Sequence, residues 1–466
     1  MSAIGEKLLG TLTGIAGEEN TSVNAPDIAR YVVDGLAPQV VVRPGSAEEI
    51  AEIFRLCAAD KLAVIPAGSG TKLRMGGPPT RYDVALVLTR MARVHAYDAG
   101  DLTLSVGPGA RLADLATLLE KQRQFLPLAV PFAAKATIGG TVASGIDSPL
   151  RQGYGTTRDF LLGAEFVTGT ATIAKSGGRV VKNVAGYDLH KLFIGSLGTL
   201  GVLTRLNFKT FPLPESSRMF LVSFAGASGA LDLVERIVRS PIEPSSLDIL
   251  SPSLAQLFGG RAPSTDPGLA PIDSWLPSPE WVVAAGFGGG SAALQQRVAD
   301  EMARMAAEAK ASGTVLLDDK KRPAFWGQLR EAVPLLLDAS PGATILRIGV
   351  LPKCMGEIFT AAQSSAERHG LPLAILARAA GAIYAAFLPE KVDEDTLGRL
   401  ALAANEMSEA AAAAPGFSSI LYCPAQLKGK TTVWGRERAD LGLMRKVKQV
   451  FDPEGILSPG RFVGGI

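Results

Sequence analysis

Thr137-Ile138-Gly139-Gly140, followed by Ser144-Gly145, Tyr154-Gly155, Arg158-Asp159 and then Gly195-Ser196-Leu197-Gly198-Thr199-Leu200-Gly201-Val202, is the stretch that decides how this chain is read. Glycines set so regularly among Ser, Thr and aliphatic residues describe a backbone pressed against a large flat ligand and its phosphates. Glycine lets the main chain approach without a Cβ in the way, and the neighbouring hydroxyl and N–H groups can satisfy phosphate oxygens. The combination reads as a flavin site.

The rest of the chain narrows the choice. At 466 residues with 47% hydrophobic and 20% charged positions, it is an ordinary globular sequence of two domains or three. A net charge of +2 with interspersed signs leaves no basic face for a nucleic acid. Cys57, Cys354 and Cys423 are odd in number and widely spaced, so they suit neither a disulfide framework nor an iron–sulfur or zinc site, and no metal centre is expected. Met1 to Thr21, broken by Gly5, Glu6, Lys7 and Gly10, lacks the apolar core of a secretion signal. No run of eighteen apolar residues occurs, so no transmembrane segment is expected.

Upstream of the glycine stretch, Val40-Val41-Val42 reads as a strand closed by Pro44. Ser46 with Glu49 three residues later is a capping box, and Ile50, Ile53, Phe54 and Cys57 fall on one helical face. Leu62 to Ile65 is the next strand, running into Pro66-Ala67-Gly68-Ser69-Gly70-Thr71-Lys72, where glycines free the backbone to curl round an anion. Strands at Val84 to Leu88 and Leu102 to Val106 follow, then a helix through Leu112, Leu115, Leu118 and Leu119; the segment reads as α+β rather than as a long parallel sheet. Beyond Pro212-Leu213-Pro214 the chain repeats strand, helix, strand: Met219 to Phe224 with Leu231 to Val238 and Leu247 to Leu250, then Trp281 to Phe287 with Leu294 to Ala307 and Val315 to Leu317. A third round uses Thr344 to Val350, Met355 to Arg368, Leu373 to Leu376 and Ile383 to Phe387. Such repetition suits an antiparallel sheet backed by helices, a ferredoxin-like cap. Ser251 to Pro279 reads as a long surface loop, and the Ala-rich helix ending at Pro415-Gly416 as packing only.

Other phosphate-binding patterns fit less well. A P-loop needs Gly-Lys-Ser/Thr, whereas Gly70-Thr71-Lys72 reverses the last two, and a dinucleotide fingerprint would need glycine where Leu73 stands. Gly286-Phe287-Gly288-Gly289-Gly290 before Ser291 reads as a strand end and helix cap.

Taken in order, Val42-Arg43-Pro44, the Pro66 to Thr71 loop, Thr137 to Gly140, Tyr154-Gly155 with Arg158-Asp159, and Gly195 to Thr204 resemble the PCMH-type FAD-binding domain of the vanillyl-alcohol oxidase superfamily. Within it, Lys182-Asn183-Val184-Ala185-Gly186-Tyr187-Asp188-Leu189 and Ser148-Pro149-Leu150-Arg151 are most similar to the smaller FAD-binding subunits of bacterial glycolate oxidases. The tail Phe451 to Arg461 is similar to the closing segment of such chains. The resemblance implies four parts: an N-terminal helical segment (1–37), a two-subdomain FAD-binding domain (38–214), an α+β cap (215–425), and a C-terminal segment (426–466) returning to the flavin.

The resemblance also implies roles. Gly68, Ser69, Gly70, Thr71 and Lys72 would hold the pyrophosphate through main-chain N–H groups; Thr137, Ile138, Gly139, Gly140 and Ser144 would line a second phosphate wall. Gly201 and Val202 would meet the flavin or adenine, with Tyr154, Gly155 and Arg158 nearby; the alternative for Arg158-Asp159 is a plain ion pair at a turn. Relatives with covalent flavin use a histidine in these loops; His95, His190 and His369 stand elsewhere, so FAD is expected to be non-covalent. His369 reads as a helix C-terminal residue favoured by the dipole and His190 as a surface helix residue.

The larger, substrate-oxidising relatives carry a His-rich motif in the cap that this chain lacks, and Leu197 stands where relatives often have Glu. Oxidation of a 2-hydroxy acid needs a cation for the carboxylate, a base for the hydroxyl and flavin N5 as hydride acceptor. Arg330, Arg347 and Arg378 are candidate cations, with Arg347 preferred as the catalytic residue and a structural salt bridge as its alternative. The expected function is an FAD-dependent subunit of a glycolate or D-lactate dehydrogenase complex. Its partners would be a larger FAD-binding dehydrogenase subunit and an iron–sulfur subunit, and its place cytoplasmic, touching the inner membrane only through them. The alternative is an FAD-binding assembly or electron-relay subunit. A cell-wall-precursor reductase sharing the FAD domain is disfavoured, because the cap is longer and lacks an acid to protonate an enol.

Overall fold

Three short apolar strands, Val40–Val42, Val84–Val87 and Val64–Ala67, lie side by side in parallel, with Thr21–Ser22 added antiparallel against Val40–Val42. The computed structural model from which this is read describes residues 3–179, 186–259, 280–317, 319 and 321–466. Lys182 to Ala185 and residues 260–279 of the long Ser251 to Pro279 segment lie outside the described residues. This first sheet is more parallel than the sequence reading expects, because the helix Ala47–Ala59 carries the chain back over one face between two strands. That helix starts where its capping residues place it. Ser46 Oγ accepts from Glu49 N at 3.1 Å, and the Glu49 carboxylate accepts from Gly45 N at 2.7 Å. Its buried stripe of Ile50, Ile53, Phe54 and Cys57 packs on Val40, Val64 and Val84.

A second, five-stranded antiparallel sheet has the order Val94–Asp98, Thr103–Val106, Gly201–Lys209, Leu161–Thr168, Ile173–Gly177. Leu104, Val106, Phe166, Leu206 and Phe208 share one apolar core with Ile138 and Val142 of the short helix Ile138–Ser144. The glycine block thus lies on a helix clamped to this sheet.

The remainder builds one eight-stranded antiparallel sheet ordered Gly313–Leu316, Ser217–Phe224, Trp281–Gly288, Ser246–Leu250, Leu373–Arg378, Ala382–Phe387, Thr344–Gly349, Phe417–Tyr422. Each half is a strand–helix–strand–strand–helix–strand unit in the spatial order 4-1-3-2, and the halves meet where Ser246–Leu250 pairs with Leu373–Arg378. Helices Ala227–Arg239, Ala292–Glu308, Met355–His369 and Glu394–Ala413 supply apolar residues to the core on one face. On the other, Leu376, Tyr384 and Leu421 pack with Met75, Phe132 and Leu197 of the N-terminal part. The last strand, Phe417–Tyr422, has no counterpart in the sequence reading, which stops at the Ala-rich helix before it.

The chain then returns to its beginning. Ile456 O accepts from Val64 N and Val64 O from Ser458 N, so the tail pairs along the strand Val64–Ala67.

Candidate functional site

Immediately after the strand Val64–Ala67 the backbone turns through Gly68 to Lys72. Among the described residues, the N–H groups of Ser69, Gly70, Thr71 and Lys72 donate to no protein acceptor, while Gly70 O and Lys72 O close the turns that follow. Four consecutive idle amides in a curled loop form a concave donor surface for an anion. Gly70 makes the curl possible with φ of +82°.

The loop forms one wall of a cleft. Gly68, Ser69, Gly70, Thr71, Lys72, Thr137, Gly139, Gly140, Ser144, Gly201 and Val202 all line it, joined by Pro66, Pro108, Phe193, Ser196, Leu197, Gly198 and Arg461. The second wall does not offer free donors as the first does. Ile138 N donates to Ala110 O, Gly139 N to Pro108 O and Gly140 N to Thr137 Oγ1. Those glycines therefore contribute bare surface rather than amides. A Cβ built at Gly140 would meet only Thr137 Oγ1, at 3.2 Å, leaving the space beyond open to a ligand. Idle donors on one side and a side-chain-free face on the other fit a dinucleotide with its pyrophosphate against the first loop.

Four expected residues lie away from this cleft. Ile138 is fully buried in the apolar core. Tyr154 packs edge-on between Phe125 and Phe211 at 5.2 Å from each ring. Gly155 ends the short helix Arg151–Tyr154, and Arg158 faces a neighbouring cavity. His190 corrects the surface reading: it is buried, its backbone N–H donates to Ser176 Oγ at 3.1 Å, and its Nδ1 lies 3.0 Å from that oxygen. The turn Leu189–Phe193 folds inward on Phe193, taking the imidazole with it. His369 sits at its helix end beside Gly370, as expected, with Nε2 3.0 Å from Glu406.

Two cations that the sequence reading passes over fix the first wall from behind. Lys428 Nζ donates to Asp34 Oδ2 at 2.8 Å, Arg74 O at 2.7 Å and Gly76 O at 2.8 Å, with both charged groups buried. Arg461 donates to Leu73 O, Met75 O and Gly77 O, and burial lowers its pKa to about 10. Lys428 comes from just beyond the eight-stranded sheet and Arg461 from the tail, so no local pattern marks them; only the tail motif around Gly460 hints at the second.

Lys72 lines the cleft half-buried. Its Nζ is 6.0 Å from the Phe132 ring centroid and 3.5 Å from Thr71 Oγ1. Burial holds its ammonium down to about 8, with Glu331 pulling the other way. Glu331 also accepts from Phe132 N at 2.7 Å and Ala133 N at 3.1 Å, tying this corner to the region below the eight-stranded sheet.

A second cavity of about 400 Å³ shares Ser144 and Leu197 with the cleft. Arg347 enters it from the strand Thr344–Gly349. Arg347 Nη2 lies 2.7 Å from Asp147 Oδ2, and Nη1 donates to Gly145 O at 3.3 Å. The other Asp147 oxygen accepts from Arg151 Nη1 at 3.2 Å. Arg378 is taken up in a buried pair with Asp248, and Arg330 bonds Glu331 at 3.1 Å, so Arg347 is the one of the three candidate arginines that reaches a cavity beside the cleft.

Comparison with known proteins now adds the decisive fact. An FAD binding domain family matches residues 38–177, and the family described as FAD linked oxidases, C-terminal domain, matches residues 213–462. The chain belongs to the FAD-linked oxidases. It is an oxidoreductase that binds FAD. It is 26% identical to the glycolate oxidase subunit GlcD of Bacillus subtilis, over 91% of this chain and 88% of that one. To the glycolate oxidase subunit GlcE of Escherichia coli it is 38% identical, over 34% of this chain and 45% of that one. To the D-lactate dehydrogenase of Anaerostipes hadrus it is 33% identical, over 46% of this chain and 45% of that one. The fold is that of p-cresol methylhydroxylase with substrate bound, with a TM-score of 0.80 over 99% of this chain and 97% of that one at 16% identity. Among the described residues no helix is long and apolar enough to cross a membrane.

Proposed function

We propose that this FAD-linked oxidase acts on a 2-hydroxy acid of the glycolate or D-lactate type, as one subunit of a complex that passes electrons onward, with FAD held non-covalently. The single observation that carries the substrate class is Arg347, a guanidinium presented into a cavity that shares Ser144 and Leu197 with the dinucleotide cleft. Bound FAD supplies a two-electron acceptor for the hydride leaving C2, which together with loss of the hydroxyl proton turns the hydroxy acid into a 2-oxo acid. Arg347 would hold the substrate carboxylate, a role its planar fork suits. Ser69 to Lys72 would hold the pyrophosphate, and Phe193, Leu197 and Val202 would keep water from the ring. Hetero-oligomeric partners follow from chemistry: this chain has only three scattered cysteines, so onward electron transfer through a cluster calls for an iron–sulfur subunit, beside a larger FAD-binding subunit. The four-part division at residues 37, 214 and 425, with a ferredoxin-like cap, belongs to the same proposal, as does closer kinship with the smaller glycolate oxidase subunit.

A second reading, an FAD-binding assembly or electron-relay subunit, is favoured by one observation. Among the described residues Asp147 is the sole carboxylate lining the second cavity and no histidine lines it, and both Asp147 oxygens already accept from guanidinium groups. The anaerobic absorption spectrum of the purified chain before and after adding glycolate or D-lactate separates the two. Bleaching of the flavin band supports substrate oxidation here. A band that persists moves that step to a partner, and absence of any flavin band overturns the cofactor placement.

A further inference from the structure

Asp147 already does to Arg347 what a substrate carboxylate would do. It reaches the guanidinium from the loop after the helix Ile138–Ser144, with Oδ2 lying 2.7 Å from Arg347 Nη2. Among the described residues it is the only carboxylate in ion-pair range of Arg347. The contact ties the N-terminal part to the eight-stranded sheet, which carries Arg347, and both side chains line the second cavity. An acid arriving there finds its cation held by an internal carboxylate of the same chemistry.

The partners of Asp147 suit an exchange. Its Oδ1 accepts from Arg151 Nη1 at 3.2 Å, four residues on, and a guanidinium carries five N–H donors, so Arg151 can take both oxygens once Arg347 is withdrawn. Releasing Arg347 therefore strands no carboxylate, which is the step that makes a buried ion pair costly to break. Arg378 shows the contrast. Its partner Asp248 is fully buried, and among the described residues the second Asp248 oxygen accepts no hydrogen bond, so that carboxylate has no second cation to move to.

The backbone around Asp147 is pinned on both sides. Gly145 ends the helix with φ of +58° and donates its N–H to Thr141 O at 3.2 Å; Ser148 Oγ accepts from Ala129 N and Leu150 N, each at 3.2 Å. Only the Asp147 side chain has to turn.

We infer that Asp147 is an internal stand-in for the substrate carboxylate: a 2-hydroxy acid binds by taking Arg347 from it, and Asp147 moves wholly onto Arg151. This rests on Arg347 being the carboxylate anchor of the proposed reaction. The exchange makes Asp147 a determinant of selectivity, because an entering anion must accept from Arg347 better than the resident carboxylate does. It also lowers the apparent affinity for every acid by the fraction of protein in which Arg347 is free.

The test pairs affinity with structure. FAD-loaded protein is titrated anaerobically with glycolate and D-lactate, following the flavin spectrum, in the unaltered chain and in Asp147→Asn, which keeps the shape and one acceptor oxygen but not the charge. The expected result is a dissociation constant on the order of tenfold lower in Asp147→Asn for both acids, at unchanged flavin content. A residue that merely orients Arg347 would give the opposite sign. A crystal structure of the unaltered FAD-loaded protein with oxamate, a monocarboxylate without a hydroxyl to oxidise, should show the oxamate carboxylate on Arg347 and both Asp147 oxygens on Arg151. That structure separates exchange from a general effect of removing a negative charge, and it decides alone if Asp147→Asn loses its flavin. Equal or weaker binding in flavin-loaded Asp147→Asn, or oxamate bound while Asp147 Oδ2 stays on Arg347, overturns the inference and leaves the hydroxy-acid reading standing. If neither acid perturbs the flavin in either protein and oxamate does not enter the cavity, the hydroxy-acid reading itself falls and takes this inference with it.

Discussion

Replacing Gly140 separates cofactor binding from folding, because its surroundings are asymmetric. A Cβ there meets only Thr137 Oγ1 at 3.2 Å, whereas one at Gly139 would stand 2.5 Å from Pro108 Cβ and one at Gly68 would stand 2.1 Å from Thr137 Oγ1. On the protein side a side chain at position 140 costs little more than a small shift of that hydroxyl. Within the helix Ile138–Ser144, loss of glycine returns ~0.5–1 kcal/mol of backbone entropy. Gly140→Ala is therefore expected to keep or slightly raise the stability of the FAD-free protein. Gly140→Trp sends an indole into the space assigned to the dinucleotide. Added FAD at a hundred times its dissociation constant stabilises the unaltered protein by about 2.7 kcal/mol, and that increment should vanish in Gly140→Trp while the FAD-free denaturation midpoint stays within about 1 kcal/mol. Urea denaturation with and without FAD, paired with the ratio of flavin to protein absorbance after purification, measures both. Flavin content at the unaltered level in Gly140→Trp would refute the placement; an FAD-free protein that no longer folds would refute the claim that the fold has room there.

Lys72 gives a pH signature. Its ammonium faces the pyrophosphate loop, and burial holds its pKa to about 8 in the FAD-free protein, so above that pH binding a phosphate anion requires taking up a proton. FAD affinity should fall as pH rises through about 8 in equilibrium titrations and lose that slope in Lys72→Met; the same slope in both proteins would exclude Lys72. Lys428→Met strips three acceptors and leaves the buried Asp34 carboxylate to Arg461, whose Nη1 stands 3.6 Å from it, with an expected loss of ~1–3 kcal/mol in urea denaturation; a loss below about 1 kcal/mol would show that the clamp is idle. Arg347→Ala should weaken the spectral response to glycolate without loss of FAD, whereas parallel loss of flavin would make its bond to Asp147 a structural one.

What sequence could and could not show follows range. The loop Gly68 to Lys72 and the block Thr137 to Gly140 announce themselves because each is a short run in which glycine spacing is itself the signal, and both line the cleft. Elements with strong periodicity, such as the helix Ala47–Ala59 and the strand Trp281–Gly288, were equally legible. Contacts between distant segments were not. Nothing near residue 428 says that its ammonium will end beneath Arg74 and Gly76, and nothing near His190 says that Ser176 will cover it. The strand Phe417–Tyr422 is masked in the sequence by the alanine run before it, which dominates the local pattern. The difference between bonded and idle amides in the two cleft walls likewise has no local signal, since glycine looks the same in both.

The pairing of Val64 with Ile456 and Ser458, and of Arg461 with Gly77 across 384 positions, has a temporal meaning. During synthesis the donor loop emerges early and waits, its supporting strand bare along one edge, while the eight-stranded sheet is still being made. Only when residues near the end of the chain arrive does the wall behind the loop close. Cofactor capture should therefore be among the last events in the maturation of this protein, and nascent chains should resist loading however much FAD surrounds them.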